Sequence, residues 1–520
     1  MIKPFKSFLL LIYVALILGV VTYFLPIHTV LGNNISFHSF KFQDIFFKEK
    51  IEYANIESIQ KKFNAPDISN LSDSVNQDTV ARITEDTIPN IEVTDDFQRP
   101  SHLKEVFGDS LEARYRIFYP KDQDTLLYAF FRSLKKTNKY LIRVLHYGDS
   151  QIEGDRITAP LRFKFQERFG GCGAGMLPLL DPLGNRTSVI EKSDGSWIRY
   201  KAFGPDFSRK VANRHGILGS YFKYRFSYPV KDTTEREEND TTPRKPIYIT
   251  KKWVNASINL YRSSLAYPRE NHYQSIKILY RNTESDFDLS LKNGKDSLEN
   301  RHFDTDTLSI FNIYEHLSNE NFSKIKITFG SKKSPEFYGI ALDCKNGIAM
   351  DNMPFRGSSG VEFTRMNLEL LREQIKRLNI KLIILQFGVN VVPYVTSDYG
   401  FYENQFYNQL KMFKNIAPNV SVLVVGVSDM SRKQEGEYVS YPNVEKIRNS
   451  QRKAAFRAGC AFWDLYDAMG GKNSMPSWVF AKPALANKDF THFTYRGATL
   501  VAEMLYKSIM SEYEKFNTLQ

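Results

Sequence analysis

The sequence predicts an α/β protein with three α/β/α layers around a parallel sheet, an inserted all-β sandwich domain and an N-terminal transmembrane helix. Short apolar runs alternate with segments of helical periodicity, a pattern typical of parallel sheets covered on both faces. Between Ser150 and Gly360, about 210 residues interrupt this alternation, where one strand–helix–strand step needs only a few tens. An uncharged apolar segment near the start of the chain predicts the membrane helix.

The N-terminus predicts a membrane anchor over residues 1–27. Phe8–Leu25 is a run of eighteen residues without a charge. At about 1.5 Å per residue, this run is just long enough to cross a hydrocarbon core. Lys3 and Lys6 precede it, so the short N-terminus is expected to stay in the cytoplasm and the remainder to be exported. A cleaved signal peptide is the alternative, but the apolar run is long for one and no clear A-x-A site follows.

A polar tether is predicted over residues 28–101. Asn, Ser, Asp and Thr recur there, and little periodicity remains after Gln60, although a short helix is expected over Phe46–Phe63. Helical patterns over Leu103–Arg116 and Asp124–Lys136 then lead into the first strand of the α/β domain.

The α/β domain is predicted in two parts, residues 102–188 and residues 337–520. Its strands are short, apolar and β-branched, and its helices carry apolar residues at helical spacing. The predicted strands are Tyr140–Tyr147, Lys381–Phe387, Val420–Val427 and Phe462–Leu465. The predicted helices are Ile157–Phe169, Phe363–Leu378, Phe401–Ile416, Val444–Ala458 and Ala498–Tyr513.

The inserted β-domain is predicted over residues 189–336. Short strands lie between clusters of turn residues and helical signals are sparse, which favours a two-sheet sandwich or jelly roll. A packing domain without a ligand of its own is an equal alternative to a ligand-binding one. The predicted strands are Ser196–Phe203, Gly219–Tyr228, Pro246–Val254, Ser257–Tyr261, Ser275–Tyr280, Phe287–Leu291, Thr307–Ile313 and Lys324–Phe329.

Composition and motifs exclude several classes of function. The net charge of +12 allows attraction to anionic polymers or lipid headgroups, but no dense Lys/Arg stripe with stacking aromatics indicates a nucleic-acid partner. No H-E-x-x-H motif, P-loop or dinucleotide fingerprint occurs, so neither a cofactor nor a metal site is predicted. Cys172, Cys344 and Cys460 are too few and too widely spaced for a disulfide framework or a C-x-x-C metal site. One pair could form a disulfide, and three unpaired thiols are at least as consistent with the sequence.

A serine lies at the end of the first predicted strand, in the turn Gly148-Asp149-Ser150. Open α/β sheets bind ligands beyond the carboxyl ends of their strands. The following helix adds unpaired N–H groups and a partial positive charge, which favour an oxyanion. By itself the turn is explained equally well as a helix cap, since Asp and Ser are preferred there.

Candidate partners for this serine lie elsewhere in the chain. Asp489 precedes His492 by three residues, and together they can supply the base and the orienting acceptor that a serine nucleophile needs. The strand before Gly388 leads to Asn390, whose amide could donate to an oxyanion, and Gly360 lies in a glycine-rich segment that allows close backbone approach.

These four blocks, in this order, resemble the SGNH (GDSL-type) hydrolase superfamily, whose fold is flavodoxin-like. Residues 148–179, GDSQIEGDRITAPLRFKFQERFGGCGAGMLPL, are similar to the first block of bacterial peptidoglycan O-acetylesterases. The stretches Phe462–Trp478 and Asp489–Thr494 are similar to later parts of those proteins. Two departures are visible: Val391 follows Asn390 where the broad family has an acid, and the first block reads Gly-Asp-Ser-Gln instead of Gly-Asp-Ser-Leu.

The resemblance implies a role for each block. Ser150 would be the nucleophile, and His492 would be the base with Asp489 as its partner. The oxyanion hole would be formed by Ser150, Gly360 and Asn390, with Gly347 and Gly357 as alternatives to Gly360. The flanking residues expected near substrate are Asp149, Gln151, Gly388 and Val389.

The resemblance also implies a substrate and a location. The expected function is a serine esterase that removes O-acetyl groups from a cell-envelope glycan, with peptidoglycan the leading substrate. The chain would be a single-pass protein of the bacterial inner membrane with its catalytic domain facing the periplasm, and its insert would be similar to a carbohydrate-binding module.

Two other functions stay open at this stage. An O-acetyltransferase would use the same residues but pass the acetyl group to a polysaccharide hydroxyl, with a membrane-bound O-acyltransferase system as its partner. A non-catalytic glycan-binding envelope protein would need none of them to be reactive.

Overall fold

The structure, a computed structural model, describes residues 4–24, 28–31, 35–38, 51–63, 112–181, 183–194, 197–204, 214–230, 247–318, 322 and 324–519. The chain divides into two units, Met1–Glu52 and Tyr53–Gln520. Residues 64–101, most of the predicted tether, lie outside the described residues, as do residues 103–111 of the first predicted helix.

The helices are α1 (Pro4–Phe24), α2 (Glu57–Lys62), α3 (Tyr128–Leu134), α4 (Thr158–Phe169), α5 (Leu368–Arg377), α6 (Gly400–Ile416), α7 (Val444–Arg457), α8 (Leu465–Ala468), α9 (Ser474–Phe480) and α10 (Tyr495–Thr518). Short 3-10 turns cover Ala113–Tyr115, Ser150–Asp155, Pro268–Asn271 and Phe363–Arg365. The strands are β1 (His28–Leu31), β2 (Ile35–His38), β3 (Ile117–Phe118), β4 (Leu141–Gly148), β5 (Gly175–Leu177), β6 (Ile190–Ser193), β7 (Trp197–Lys201), β8 (Ser220–Tyr224), β9 (Ser227–Val230), β10 (Ile247–Thr250), β11 (Val254–Tyr261), β12 (Ser275–Arg281), β13 (Phe287–Asn293), β14 (Asp296–Phe303), β15 (Asn312–Leu317), β16 (Lys324–Ser331), β17 (Glu336–Asp343), β18 (Gly347–Pro354), β19 (Ile380–Gln386), β20 (Ser421–Val425), β21 (Ser431–Gln434), β22 (Glu437–Ser440) and β23 (Ala461–Trp463).

The first unit contains α1 and the antiparallel hairpin β1–β2. Apolar side chains along α1, among them Phe8, Leu11 and Leu16, are exposed. In the part of the chain that the structure describes, no helix combines the length and the apolar character needed to span a membrane. The transmembrane helix over residues 1–27 therefore stays a prediction.

The second unit is built on a six-stranded sheet with the strand order β18-β4-β19-β20-β23-β3. The first five strands are parallel and β3 is antiparallel to β23. Parallel neighbours need crossover connections, which the helices supply. The edge strand β18 pairs with β4 although the whole β-domain separates the two strands in the chain.

Helices cover both faces of this sheet. Because successive side chains on a strand point to opposite faces, Ile383 and Ile384 of β19 belong to different hydrophobic layers. One layer contains residues of α5, α6 and α7, and the other contains residues of α3, α4 and α10. The prediction of a parallel sheet between two helical layers is confirmed.

Most elements of the α/β domain lie where the sequence predicts them. The strands β3, β18, β21 and β22 are not among the predicted ones, and β18 is the longest of these. Its pattern is interrupted by Asp351, a fully buried carboxylate. Arg143 of β4 neutralises this charge, with Nη1 2.5 Å from Asp351 Oδ1, and also pairs with Asp343 of β17. A charge in a buried strand is tolerated when it is paired, and the pairing is not visible from β18 alone.

The insert is an antiparallel β-sandwich, as predicted. One sheet has the order β14-β13-β16-β11-β6, and the other has the order β15-β12-β17-β8-β7, with β5 also paired to β17. Strands β5 and β17 bring residues outside 189–336 into the sandwich. Strand β14 was not predicted because it is an edge strand whose two faces are largely exposed, so it has no apolar alternation.

The sandwich and the α/β domain are joined through a continuous core. Phe203 of the insert stacks on Phe355, which follows β18, with ring centroids 4.2 Å apart. A disulfide links Cys172 and Cys344, whose Cα atoms are 5.1 Å apart, while Cys460 is a buried free cysteine. The bridge closes the junction where β17 leaves the sandwich for β18.

A short segment within the predicted tether packs on the α/β domain. Ile56, Ile59 and Phe63 are buried, and the Phe63 ring lies edge-on to Tyr115 at 4.7 Å. Ala54 N–H donates to the Asn473 carbonyl at 3.3 Å. Residues 53–63 are therefore part of the folded unit.

Candidate active site

Ser150 lies at the carboxyl end of β4, at the start of a 3-10 turn. The strand ends at Gly148, where a Cβ atom would lie 2.9 Å from the Gln386 carbonyl oxygen of the neighbouring strand β19. Glycine therefore lets the two strand ends approach closely. This places a half-buried hydroxyl at the edge of the sheet where α/β proteins bind ligands.

Ser150, His492 and Asp489 form a hydrogen-bonded chain. Ser150 Oγ is 2.8 Å from His492 Nε2, and His492 Nδ1 is 2.7 Å from Asp489 Oδ2. A proton held on Nδ1 by the carboxylate leaves Nε2 free to accept the serine proton. The structure thus brings together the three residues predicted as nucleophile, base and orienting acid.

The Asp489 carboxylate is stabilised as an anion. Partial burial alone would raise its pKa, but the bond from the His492 side chain and the backbone N–H groups of His492 and Thr491 outweigh burial, so the pKa is lowered. Both N–H groups are 3.0 Å from Oδ1. The carboxylate is therefore fixed on both of its oxygens.

The loop that carries Asp489 and His492 is held by three further residues. Phe490 has φ +54, a left-handed conformation that is strained for an aromatic residue. Its ring stacks on Tyr438 of β22 with centroids 3.6 Å apart, and its carbonyl accepts from Ser431 N–H at 3.1 Å. This support is not visible in the sequence, because the patterns over Ser431–Gln434 and Glu437–Ser440 predict neither strand of the β21–β22 hairpin.

Asp149 and Gln151 hold the serine turn to the neighbouring turns through hydrogen bonds. The buried Asp149 carboxylate accepts from Gln151 N–H at 3.0 Å and from the N–H groups of Gly388 and Val389. Burial raises the Asp149 pKa to about 6, and these bonds oppose the shift. Gln151 Nε2 donates to the Thr491 carbonyl at 2.7 Å, which ties the serine turn to the histidine loop. All four predicted substrate-binding residues are buried, so they form the frame of the site and direct substrate contact stays a prediction.

Asn390 and Gly360 lie in two turns that contact each other. Asn390 is half-buried, and its Nδ2 donates to the Ser358 carbonyl at 2.8 Å, which leaves a second amide hydrogen. Gly360 is buried with φ +82, and its N–H donates to Ser358 Oγ at 2.9 Å. The Gly360 N–H is thus engaged within its own turn. The oxyanion roles of both residues stay predictions.

The insert reaches the serine turn through buried charges. Arg162 of α4 donates to both oxygens of Asp155, at 3.0 Å each, and also to Glu270 of the insert. All three side chains are almost completely buried. Asp155 ends the turn that Ser150 begins, so the sandwich contributes a charge to the frame of the site.

His146 is not part of the hydrogen-bonded chain of Ser150, His492 and Asp489. It is fully buried on β4, with Nε2 3.1 Å from Gln386 Oε1 and Nδ1 3.0 Å from Thr158 Oγ1. Burial lowers its pKa to about 4, so the imidazole is neutral near neutral pH. Among the described residues, no group of three or more His, Cys, Asp or Glu side chains is placed to hold a metal ion.

Comparison with known proteins finds likeness among solved structures. No protein-family model matches the chain, and no curated protein matches it. A structure of a peptidoglycan O-acetylesterase matches with a TM-score of 0.56 and 17% identity, over 74% of this chain and 96% of that one. An acetyl xylan esterase matches with a TM-score of 0.23 and 15% identity, over 31% of this chain and 81% of that one. A family two carbohydrate esterase from Clostridium thermocellum matches with a TM-score of 0.21 and 8% identity, over 51% of this chain and 92% of that one.

Only the first of these scores indicates a shared fold. The match extends over nearly the whole of that protein and over about three quarters of this chain. The resemblance predicted from the sequence blocks is therefore confirmed as a likeness of fold.

Proposed function

We propose that the chain is a serine esterase that removes O-acetyl groups from a cell-envelope glycan, with peptidoglycan as the leading substrate. The observation that carries the proposal is the hydrogen-bonded chain from Ser150 through His492 to Asp489 at the carboxyl end of a parallel sheet. A serine hydroxyl becomes a useful nucleophile only when a base of this kind can remove its proton.

The first half of the reaction forms an acetyl-serine. Ser150 Oγ attacks the acetyl carbonyl carbon while its proton passes to His492 Nε2, and Asp489 stabilises the imidazolium that results. When the tetrahedral intermediate collapses, the bond to the sugar oxygen breaks and His492 returns the proton to that oxygen. The glycan leaves with a free hydroxyl group.

The second half releases acetate. His492 takes a proton from water, the hydroxide attacks the acetyl carbonyl, and the proton then returns to Ser150 as the ester bond breaks. The oxyanion formed in both halves would be bound by the Ser150 N–H and the second amide hydrogen of Asn390. The Gly360 N–H, the third predicted donor, would have to leave Ser358 Oγ to join them. One such donor is typically worth about 2.7–4 kcal/mol.

Two observations support a glycan as substrate. The chain shares its fold with a peptidoglycan O-acetylesterase over most of both chains. In addition, the buried pair of Glu270 and Arg162 places the sandwich next to the serine turn, an arrangement in line with a substrate larger than a simple acetyl ester.

We also propose that residues 1–27 anchor the chain in the inner membrane and that the catalytic domain faces the periplasm. The uncharged run Phe8–Leu25 and the lysines before it support the anchor. The disulfide between Cys172 and Cys344 supports an oxidising compartment.

Acetate release by the purified full-length chain tests the proposed activity. The substrates are O-acetylated peptidoglycan, an O-acetylated neutral polysaccharide and a small aryl acetate. We expect release from peptidoglycan by the wild type and by Ser133→Ala, since the Ser133 hydroxyl donates to the Ala129 carbonyl of its own helix at 2.9 Å. We expect no release above background by Ser150→Ala.

Two results would contradict the proposal. Hydrolysis of the aryl acetate without release from peptidoglycan would keep the chemistry and exclude this substrate. Equal activity of Ser150→Ala and the wild type would exclude the nucleophile.

A further inference from the structure

We propose that Arg356 binds a carboxylate of the glycan beside the reacting ester, so that the enzyme prefers acidic glycans to neutral ones. This inference rests on the proposed esterase function and names the substrate class of the same site. It assigns to Arg356 a role in specificity and none in the chemical steps.

Arg356 lies at the same edge of the sheet as the serine. Strand β18 ends at Pro354, next to Gly148 of β4, and Phe355 N–H donates to the Gly148 carbonyl at 2.7 Å. Arg356 is the next residue, and it begins the turn that contains Ser358 and Gly360. The side chain therefore projects from the rim of the Ser150 site.

The guanidinium is largely unengaged. Its side chain is 60% exposed, and Nη1 is 3.7 Å from Glu153 Oε1, which is longer than a hydrogen bond. Across the described residues, Arg356 has no hydrogen-bond partner. A buried or fully paired arginine would be a structural residue. Most of the Arg356 side chain is exposed, so its N–H groups can bind a ligand beside the serine turn.

Glu153 places this guanidinium within electrostatic reach of the catalytic histidine. The Glu153 side chain is nearly buried, and its carbonyl accepts from Arg156 Nε at 2.9 Å. Burial raises the pKa of Glu153, while the charges of Arg356, Arg156 and His492 all act to lower it. Glu153 belongs to the turn Ser150–Asp155, so a group held by Arg356 would lie beside the turn that carries the serine.

The chemistry of the side chain selects the ligand. A guanidinium presents a planar fork of N–H donors that matches a carboxylate with two parallel bonds. A neutral polysaccharide offers only hydroxyl and amide groups, which gain less from a fixed positive charge. Arg156 is partly buried and faces the Glu153 and Asp489 carboxylates, so the preference for an anionic substituent is assigned to the exposed Arg356.

Steady-state kinetics on a matched pair of substrates tests the inference. One substrate is a soluble O-acetylated peptidoglycan fragment, and the other is the same fragment with its carboxylates converted to neutral amides. The full-length wild type, Arg356→Ala, Arg356→Lys and Arg301→Ala are compared on both, with an aryl acetate as a measure of the chemistry alone. Arg301 is a matched control, because its side chain is 56% exposed, it lies 3.7 Å from Glu299, and it is on β14 of the insert.

We expect Arg356→Ala to lower kcat/KM for the acidic fragment by about tenfold, mainly through KM. Its kcat/KM for the amidated fragment and for the aryl acetate should equal that of the wild type. Arg356→Lys should recover part of the loss, because it keeps the charge but not the fork, and Arg301→Ala should behave as wild type. Added salt should shrink the preference for the acidic fragment.

Three outcomes would overturn the inference. They are equal kcat/KM of the wild type on the two fragments, an unchanged preference in Arg356→Ala, and an equal loss in Arg301→Ala. Failure of the esterase proposal looks different, because the wild type would then release acetate from neither fragment.

Discussion

The Asp149 carboxylate is buried between the two strand ends that carry Ser150 and Asn390. It accepts N–H groups from the serine turn and from Gly388 and Val389, so one side chain sets the spacing of both turns. A residue next to the nucleophile thus acts on the nucleophile's surroundings without facing the substrate.

Asn390→Ala tests the oxyanion assignment at the level of a single donor. Removing the amide should lower kcat by roughly 100-fold or more, with a small change in KM, because the donor acts mainly on the transition state. The measurement is steady-state hydrolysis of an aryl acetate. Since Nδ2 also donates to Ser358 O, the free energy of unfolding is measured alongside as a control. An unchanged kcat would remove Asn390 from the oxyanion hole.

His146 should make the protein less stable at acid pH. Its folded-state pKa of about 4 lies below its unfolded value, so its contribution is complete above about pH 6.5 and is lost as the pH falls toward 4. This residue alone should cost about 2 kcal/mol of unfolding free energy between about pH 7 and about pH 5.

The measurement is urea unfolding of the wild type and of His146→Gln at both pH values. The difference between the two proteins gives the contribution of His146 to the pH dependence of the free energy of unfolding. Glutamine can still donate and accept toward Thr158 and Gln386, so the variant should fold and show a smaller loss at acid pH. The same pH dependence in both proteins would mean that His146 is not the group responsible.

Two short elements support the α/β domain although they lie outside its predicted bounds. They are the segment Tyr53–Phe63 and the 3-10 turn Pro268–Asn271 of the insert. The first lies within a predicted tether but contributes Ile59 and Phe63 to the core. The second contributes Glu270 to the frame of the serine turn. Both are short, and each is stable only because a larger element buries it.

Glu270→Ala tests the contact between the insert and the serine turn. Arg162 would keep Asp155 but lose its second carboxylate in a buried setting, which should cost about 3–5 kcal/mol of unfolding free energy. Glu284→Ala is the control, since Glu284 is half exposed and 3.8 Å from Lys223, and such pairs are worth at most about 1 kcal/mol. Both variants are measured by urea unfolding. If they lose the same free energy of unfolding, the buried Arg162–Glu270 pair contributes no more to stability than an exposed pair does.

At the scale of the whole molecule, the sandwich and the α/β domain behave as one folded unit. They share a hydrophobic core and are joined by the Cys172–Cys344 disulfide, which closes a separation of 172 residues. A link across the junction of an inserted domain restrains both of its connections at once.

Removing this disulfide should destabilise the protein by about 2–5 kcal/mol, mainly by enlarging the unfolded ensemble. The comparison is urea unfolding of the oxidised wild type, the reduced wild type and the double variant Cys172→Ala, Cys344→Ala. The last two should agree with each other and differ from the first. Identical curves for oxidised and reduced wild type would contradict the expectation.

By itself, the sequence determined the fold class, the insertion of a β-sandwich and the identity of Ser150, His492 and Asp489 as a candidate set. These features depend on local patterns, namely apolar periodicity and short motifs at strand ends. Only the tertiary structure decided that β18 is a strand, that Cys172 and Cys344 are bonded and that Arg356 stands at the rim of the site. Each of these depends on residues far away in the chain. No local pattern specifies which distant residue will neutralise a buried charge or bond to a cysteine, or that an arginine will stay exposed.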